Sequence, residues 1–111
     1  MKLTYLYLPV DDLAAAESFY RDRLGLEEAW REGDSTIAFW SPDRAVQLMV
    51  DTDDYPAGSM YEVDDLTAWQ AANSAVPVRV PRYEIPGGSV AGYQDPAGNV
   101  FYVFDQAQQQ S

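Results

Sequence analysis

The sequence predicts an α+β fold of two consecutive βαβββ modules, and three observations predict it. The first is a duplication: Val10-Asp11-Asp12-Leu13 returns as Val63-Asp64-Asp65-Leu66, 53 residues later. Ser41-Pro42-Asp43 and Asp95-Pro96-Ala97 hold nearly that spacing at the far end of each half. The second is that each copy follows a strand-like run and opens a helix-like one. The third is that three further strand-like runs, separated by turn residues, follow each helix. Two copies of about 50 residues make a pseudo-two-fold pair of modules rather than a solenoid.

In module 1, residues 1–50, Leu3 to Pro9 alternates, with Leu6, Leu8 and Val10 on one face and Tyr5 and Tyr7 on the other. Asp11 or Asp12 supplies the N-cap of a helix. Leu13, Ala16, Tyr20 and Leu24 fall at helical spacing, and Gly25 closes the helix. Glu27–Arg31, Thr36–Trp40 and Ala45–Val50 read as strands, joined by Gly33-Asp34 and Ser41-Pro42-Asp43. Residues 51–58 are polar and read as a linker. Module 2, residues 59–105, repeats the plan: strand Ser59–Val63, cap Asp64 or Asp65, and a helical stripe of Leu66, Trp69 and Ala72 stopped by Pro77. Val78–Tyr83, Ser89–Gln94 and Val100–Phe104 complete it, with Pro81 marking an edge strand or bulge. Residues 106–111 read as a frayed polar tail.

Composition bounds the chemistry. With no cysteine and no histidine among 111 residues, disulfides, thiolate or imidazole metal sites, cysteine nucleophiles and the serine–histidine–acid triad are excluded. Eighteen acids against seven bases give a formal charge of −11, a field that repels phosphate backbones and anionic membranes and attracts cations. Nucleic-acid and membrane partners are therefore not expected. No apolar run approaches a membrane span and the N-terminus lacks a signal-peptide pattern, so the expectation is a cytoplasmic protein.

Val10-Asp11-Asp12-Leu13, then Phe19-Tyr20-Arg21-Asp22-Arg23-Leu24-Gly25-Leu26, then Asp95-Pro96-Ala97-Gly98-Asn99 resemble the vicinal oxygen chelate superfamily. That group includes glyoxalase I, extradiol dioxygenases and bleomycin-resistance proteins, and the resemblance spans roughly residues 3–105. It implies one domain over residues 1–111, two βαβββ half-barrels around a cleft, and a homodimer. The enzymes of the group hold a divalent metal, and the positions matching their ligands are Tyr5, Gly58 and Tyr102, with Gln47 or Leu48 as the module 1 counterpart of Tyr102. Neutral phenols and glycine are poor ligands. No metal or other cofactor is expected, and the character is that of the metal-free bleomycin-resistance proteins, acidic dimers that sequester a cationic drug.

Alternation then assigns the cleft. Tyr5, Tyr7, Met60 and Tyr102 refill the former metal pocket, with Glu62 at its margin. Trp30, Trp40, Gln47, Met49 and Tyr93 on the remaining strands complete the candidate ligand-binding set. Aromatic faces with a carboxylate suit a flat cation, each contact contributing about 0.5–2 kcal/mol. Phe19, Tyr20, Trp69 and Phe101 read as core, and the two Asp-Asp pairs as helix caps rather than catalytic carboxylates. From Ala45 to Val78 there is no Lys or Arg but six acids, which concentrates the negative field. The expected function is metal-independent binding of a cationic aromatic compound such as a bleomycin-type antibiotic, without catalysis. Two alternatives stay open. One is a metal-free or oxygen-ligand lyase or isomerase using Glu62, Glu28 or Asp105 as base with Tyr5 or Tyr102 as acid. The other is a dimeric interaction module without a ligand.

Overall fold

The alternating N-terminal run becomes strand β1 (Lys2–Pro9) in the computed structural model, which describes residues 1–106. Asp12 ends its extended stretch, and the carboxylate accepts from the Ala15 N–H at 3.1 Å, capping α1 (Leu13–Glu17). The helix continues as a π-helical segment, Ser18–Arg23, closed by a bond from the Leu24 N–H to the Phe19 carbonyl at 3.0 Å. That wider turn corrects the expected stripe. It rotates Leu24 outward to 52 % exposure, and Gly25, at φ +73°, turns the chain so that Leu26 packs on the core in its place. Phe19, expected in the core, is also exposed and meets Tyr20 only edge-on at 5.1 Å.

Two compact units are present, Thr4–Ala57 and the chain from Gly58 together with Met1–Leu3. In the first, β2 (Glu28–Glu32), β3 (Thr36–Trp40) and β4 (Gln47–Asp51) join β1 in the order β2-β3-β4-β1. The β1–β4 pair is parallel and the others antiparallel. Ile37, Phe39 and Val50 are fully buried on the helix side, packed by Val10, Leu13, Ala16, Tyr20 and Leu26.

The second unit has the same topology. Strand β5 (Gly58–Glu62) pairs parallel with β8 (Val100–Gln106), which pairs antiparallel with β7 (Gly88–Gln94), and β7 with β6 (Val78–Ile85). The repeat read from two four-residue motifs is thus a repeat of strand order and direction. Asp65 caps α2 (Leu66–Ala72) through the Ala68 N–H at 3.2 Å. Strand β6 ends the strand order, and its register slips between Val80 and Tyr83, around Pro81, which has no N–H to offer a neighbour. Leu66, Ala91, Tyr93 and Val103 form the core beneath α2.

Strands extend into segments read as linker and tail. Asp51 belongs to β4, Gly58 to β5 and Gln106 to β8, where its amide donates to the Pro86 carbonyl at 2.9 Å. The rest of the predicted tail, residues 107–111, lies outside the described residues. Asp105, considered above as a base, has a structural task instead. Its two oxygens accept from the Leu66 N–H at 2.7 Å and the Ser89 N–H at 3.0 Å, tying the start of α2 to β7. Asp105→Ala strands both donors in part-buried surroundings and is expected to cost about 1–3 kcal/mol in urea denaturation.

Candidate functional site

Strand register decides which side chains share a face, because paired residues project to the same side. In the first unit Tyr5 pairs with Gln47 and Gln47 with Trp40; Tyr7 pairs with Met49, Met49 with Ala38, and Ala38 with Trp30. Since Ile37, Phe39 and Val50 point to the helix, all six predicted residues of this unit lie on the opposite face. Tyr7 is buried, whereas Tyr5, Trp30, Trp40, Gln47 and Met49 are half-buried. Trp30 is held in place: its indole N–H donates to Gln47 Oε1 at 2.8 Å, and its ring meets Tyr5 edge-on at 6.1 Å. A polar tether and an edge-on neighbour make a fixed aromatic platform.

Beside the platform sits a carboxylate network that the sequence reading placed in the linker. Asp51 is buried, and its oxygens accept from the Tyr7 hydroxyl and the Thr36 hydroxyl, each at 2.7 Å. The Tyr7 hydroxyl also reaches the Asp53 carbonyl at 3.3 Å, and the Tyr7 ring meets Tyr55 at 6.4 Å. The Asp53 carboxyl is pushed above the ordinary range, first by the charge of Asp51, then by desolvation and a hydrogen bond shared with it. Asp51 and Thr36 escaped the sequence reading, although extending the β4 alternation from Met49 by one period puts Asp51 on the face of Tyr7.

In the second unit Met60 pairs with Tyr102 and Tyr102 with Gly92, while Glu62 pairs with Phe104 and Phe104 with Val90. These share the face opposite α2, as alternation assigns them. Met60 and Tyr102 are buried and Glu62 is half-buried. Tyr93 does not join them. It pairs with Phe101 on the helix side, meets the Trp69 ring at 4.9 Å with the planes tilted by 58°, and accepts from the Gln70 amide at 2.9 Å. Alternation along β7 gives the reason: Tyr93 is one residue beyond Gly92, the partner of Tyr102, and so faces α2. Tyr93 is a core residue.

The donor set for a metal does not fit. Gly58 carries no donor, and a β-carbon there would collide with the Val100 carbonyl. The Tyr102 ring rests where β-carbons on Gly58 and Gly92 would stand, 3.4 Å and 3.0 Å from them. By register, the counterpart of Tyr102 in the first unit is Met49, rather than Gln47 or Leu48, because Tyr7 pairs with Met49 as Met60 pairs with Tyr102. Among the described residues no group of three or more His, Cys, Asp or Glu could hold a metal ion. Glu28, the other base considered, is ion-paired with Arg31 at 2.8 Å, and the hydrogen bond from Arg31 lowers its pKa.

Residues 2–34 match the family described as bleomycin resistance protein-like N-terminal. No curated protein matches the sequence. Among solved structures, a glyoxalase/bleomycin resistance protein/dioxygenase superfamily member from Vibrio splendidus 12B01 is 18 % identical, with 93 % of this chain and 97 % of that one covered at a TM-score of 0.65. A methylmalonyl-CoA epimerase is 14 % identical, with 97 % of each chain covered at 0.66. A structure described as an NAD-dependent benzaldehyde dehydrogenase from Legionella pneumophila is 13 % identical, with 93 % and 98 % covered at 0.73. The fold is that of the glyoxalase/bleomycin-resistance proteins, and residues 2–34, by their family match, are similar to the same group. No helix among the described residues is long and apolar enough to cross a membrane.

The Asp51–Asp53 pair gives the protein a pH signature. With its folded pKa above the unfolded value, Asp53 binds its proton more tightly in the folded chain. Its favourable contribution is full below the unfolded pKa and is lost as pH rises through the folded one. Asp53→Asn is therefore expected to stabilise the protein near neutral pH. The gain should fade on acidification to about pH 4, as read by urea denaturation at each pH.

Proposed function

We propose that the chain is a metal-independent binding protein that takes up a small cationic aromatic compound, of which a bleomycin-type antibiotic is one example, as a sequestration device. The observation that carries this reading is the platform of Tyr5, Trp30 and Gln47. Its indole is fixed before any ligand arrives, so little ordering cost remains to be met on binding. Half-buried Trp40 and Met49 on the same face extend the contact area, and Met49 adapts to irregular shapes. The formal charge of −11 supplies the preference for a cation. In the second module, taken by itself, Glu62 is the half-buried candidate contact on the face opposite α2, with Met60 and Tyr102 buried beside it. We read the working form as a cytoplasmic homodimer, and concentration-dependent sedimentation tests the dimer.

A second reading is favoured by one observation, the Asp51–Asp53 pair next to the Tyr7 hydroxyl. A carboxyl held above its ordinary range, as Asp53 is by the charge of Asp51, is a source of general acids and bases, so it could serve a lyase or isomerase. Turnover of a glyoxalase-type substrate that disappears in Asp53→Asn would favour it.

Titration with bleomycin and a panel of cationic aromatic compounds, followed by tryptophan fluorescence, is expected to show saturable quenching that weakens with salt. Trp30→Ala should lower the affinity about ten-fold, the equivalent of roughly 1.4 kcal/mol of stacking and cation–π contact. Absence of saturable binding across the panel would contradict the reading.

A further inference from the structure

The duplication supplies an internal comparison for one turn. In the second unit the Asp95 turn is closed by the Gly98 N–H donating to the Asp95 carbonyl at 3.0 Å, with Gly98 at φ +88°. In the first unit the Arg44 N–H donates to the Ser41 carbonyl at 2.8 Å, and Arg44 holds the left-handed position at φ +59°. Among the described residues it is the one non-glycine with positive φ. A side chain there strains a backbone that glycine would accept freely. What the strained position delivers is a guanidinium 5.1 Å above the Trp40 ring centre and 3.1 Å from the Glu27 carboxylate.

An aromatic face and a carboxylate gripping one cation are the two parts of an organic-cation site. A cavity of about 290 Å³ opens beside them, lined by Leu24, Leu26 and Pro42 together with Trp40, Glu27 and Arg44. We propose that Trp40 and Glu27 form a subsite for an organic cation, such as a quaternary ammonium carried on an aromatic ring, and that Arg44 is its built-in competitor. The proposal rests on the reading of the chain as a binder of organic cations and names where the cationic group sits and what controls entry.

Charge decides between a cation and an anion as the occupant. The Glu27 and Arg44 side chains are 70 % and 54 % exposed, so their ion pair is solvent-screened and Arg44 can swing away at small cost. A ligand cation then replaces one positive charge with another over Trp40. An anion would have to take Arg44 from Glu27 against the field of a chain with net charge −11. A tethered competitor lowers the apparent affinity for a free one, so removing it tightens binding.

The test follows the three indole N–H signals of ¹⁵N-labelled protein, assigned with single Trp→Phe variants, during titration with benzyltrimethylammonium. The Trp40 signal is expected to shift saturably. Arg44→Gly, matched to Gly98 in the sister turn, and Arg44→Ala should each tighten binding about ten-fold, and Glu27→Gln should weaken it several-fold. Unchanged or weaker binding in both Arg44 variants would overturn the proposal. So would a Trp40 shift with benzoate that vanishes when Arg44 is replaced, the mark of an anion site. Movement of Trp30 alone would overturn the subsite while leaving the platform reading intact, and movement of Trp40 alone would do the reverse.

Discussion

Which side chains share a face in this chain depends on the pairing of a parallel strand couple in each unit, β1 with β4 and β5 with β8. With side chains alternating at a period of two, that register sends every second residue to the helix and the rest to the other face. Ile37, Phe39 and Val50 thereby become core, and Tyr5, Gln47, Met49 and Trp30 become a surface of different character. A slip of one residue in β4 would take Val50 off the helix side and put Met49 and Gln47 there. Asp12 and Asp65 start each helix at the same point of its module, so the apolar stripe arrives over the same strands.

The elements that were legible in the sequence are those governed by local periodicity and turn chemistry. Alternation placed Tyr5, Tyr7, Met60, Glu62 and Tyr102 opposite the helices, and the paired motifs located both caps. Three features were not legible, each for a physical reason. The π-helical widening that leaves Leu24 outside, with Leu26 on the core in its place, is a matter of tertiary packing, which helical spacing does not encode. Tyr93 is an attractive ligand contact by residue type, but strand parity puts it under α2, where Gln70 satisfies its hydroxyl. Asp51 looks like one of a run of solvated acids. Only tertiary contact with Thr36 and Tyr7 makes it a buried, doubly bonded carboxylate.

The positions that the sequence resemblance matches to metal ligands offer shape rather than donors. Gly58 is small because the Val100 backbone lies against it, and Tyr102 spreads its ring across Gly58 and Gly92. Contact area, rather than donor atoms, is what these side chains offer. Arg44 fits the same logic on a smaller scale. It is a cation placed, at some backbone strain, on the aromatic face that a ligand cation would otherwise take.

On the function proposed above, the face of the first module opposite its helix receives the aromatic part of a cationic ligand. Intermolecular nuclear Overhauser effects between the aromatic protons of a bound cationic ligand and the side chains of Trp30 and Tyr5 test it most directly. Cross-peaks to both rings are expected, with none to Tyr20 or Phe39 on the helix side. Contacts confined to helix-side residues, or a ligand that binds with no cross-peak to Trp30 or Tyr5, would contradict it.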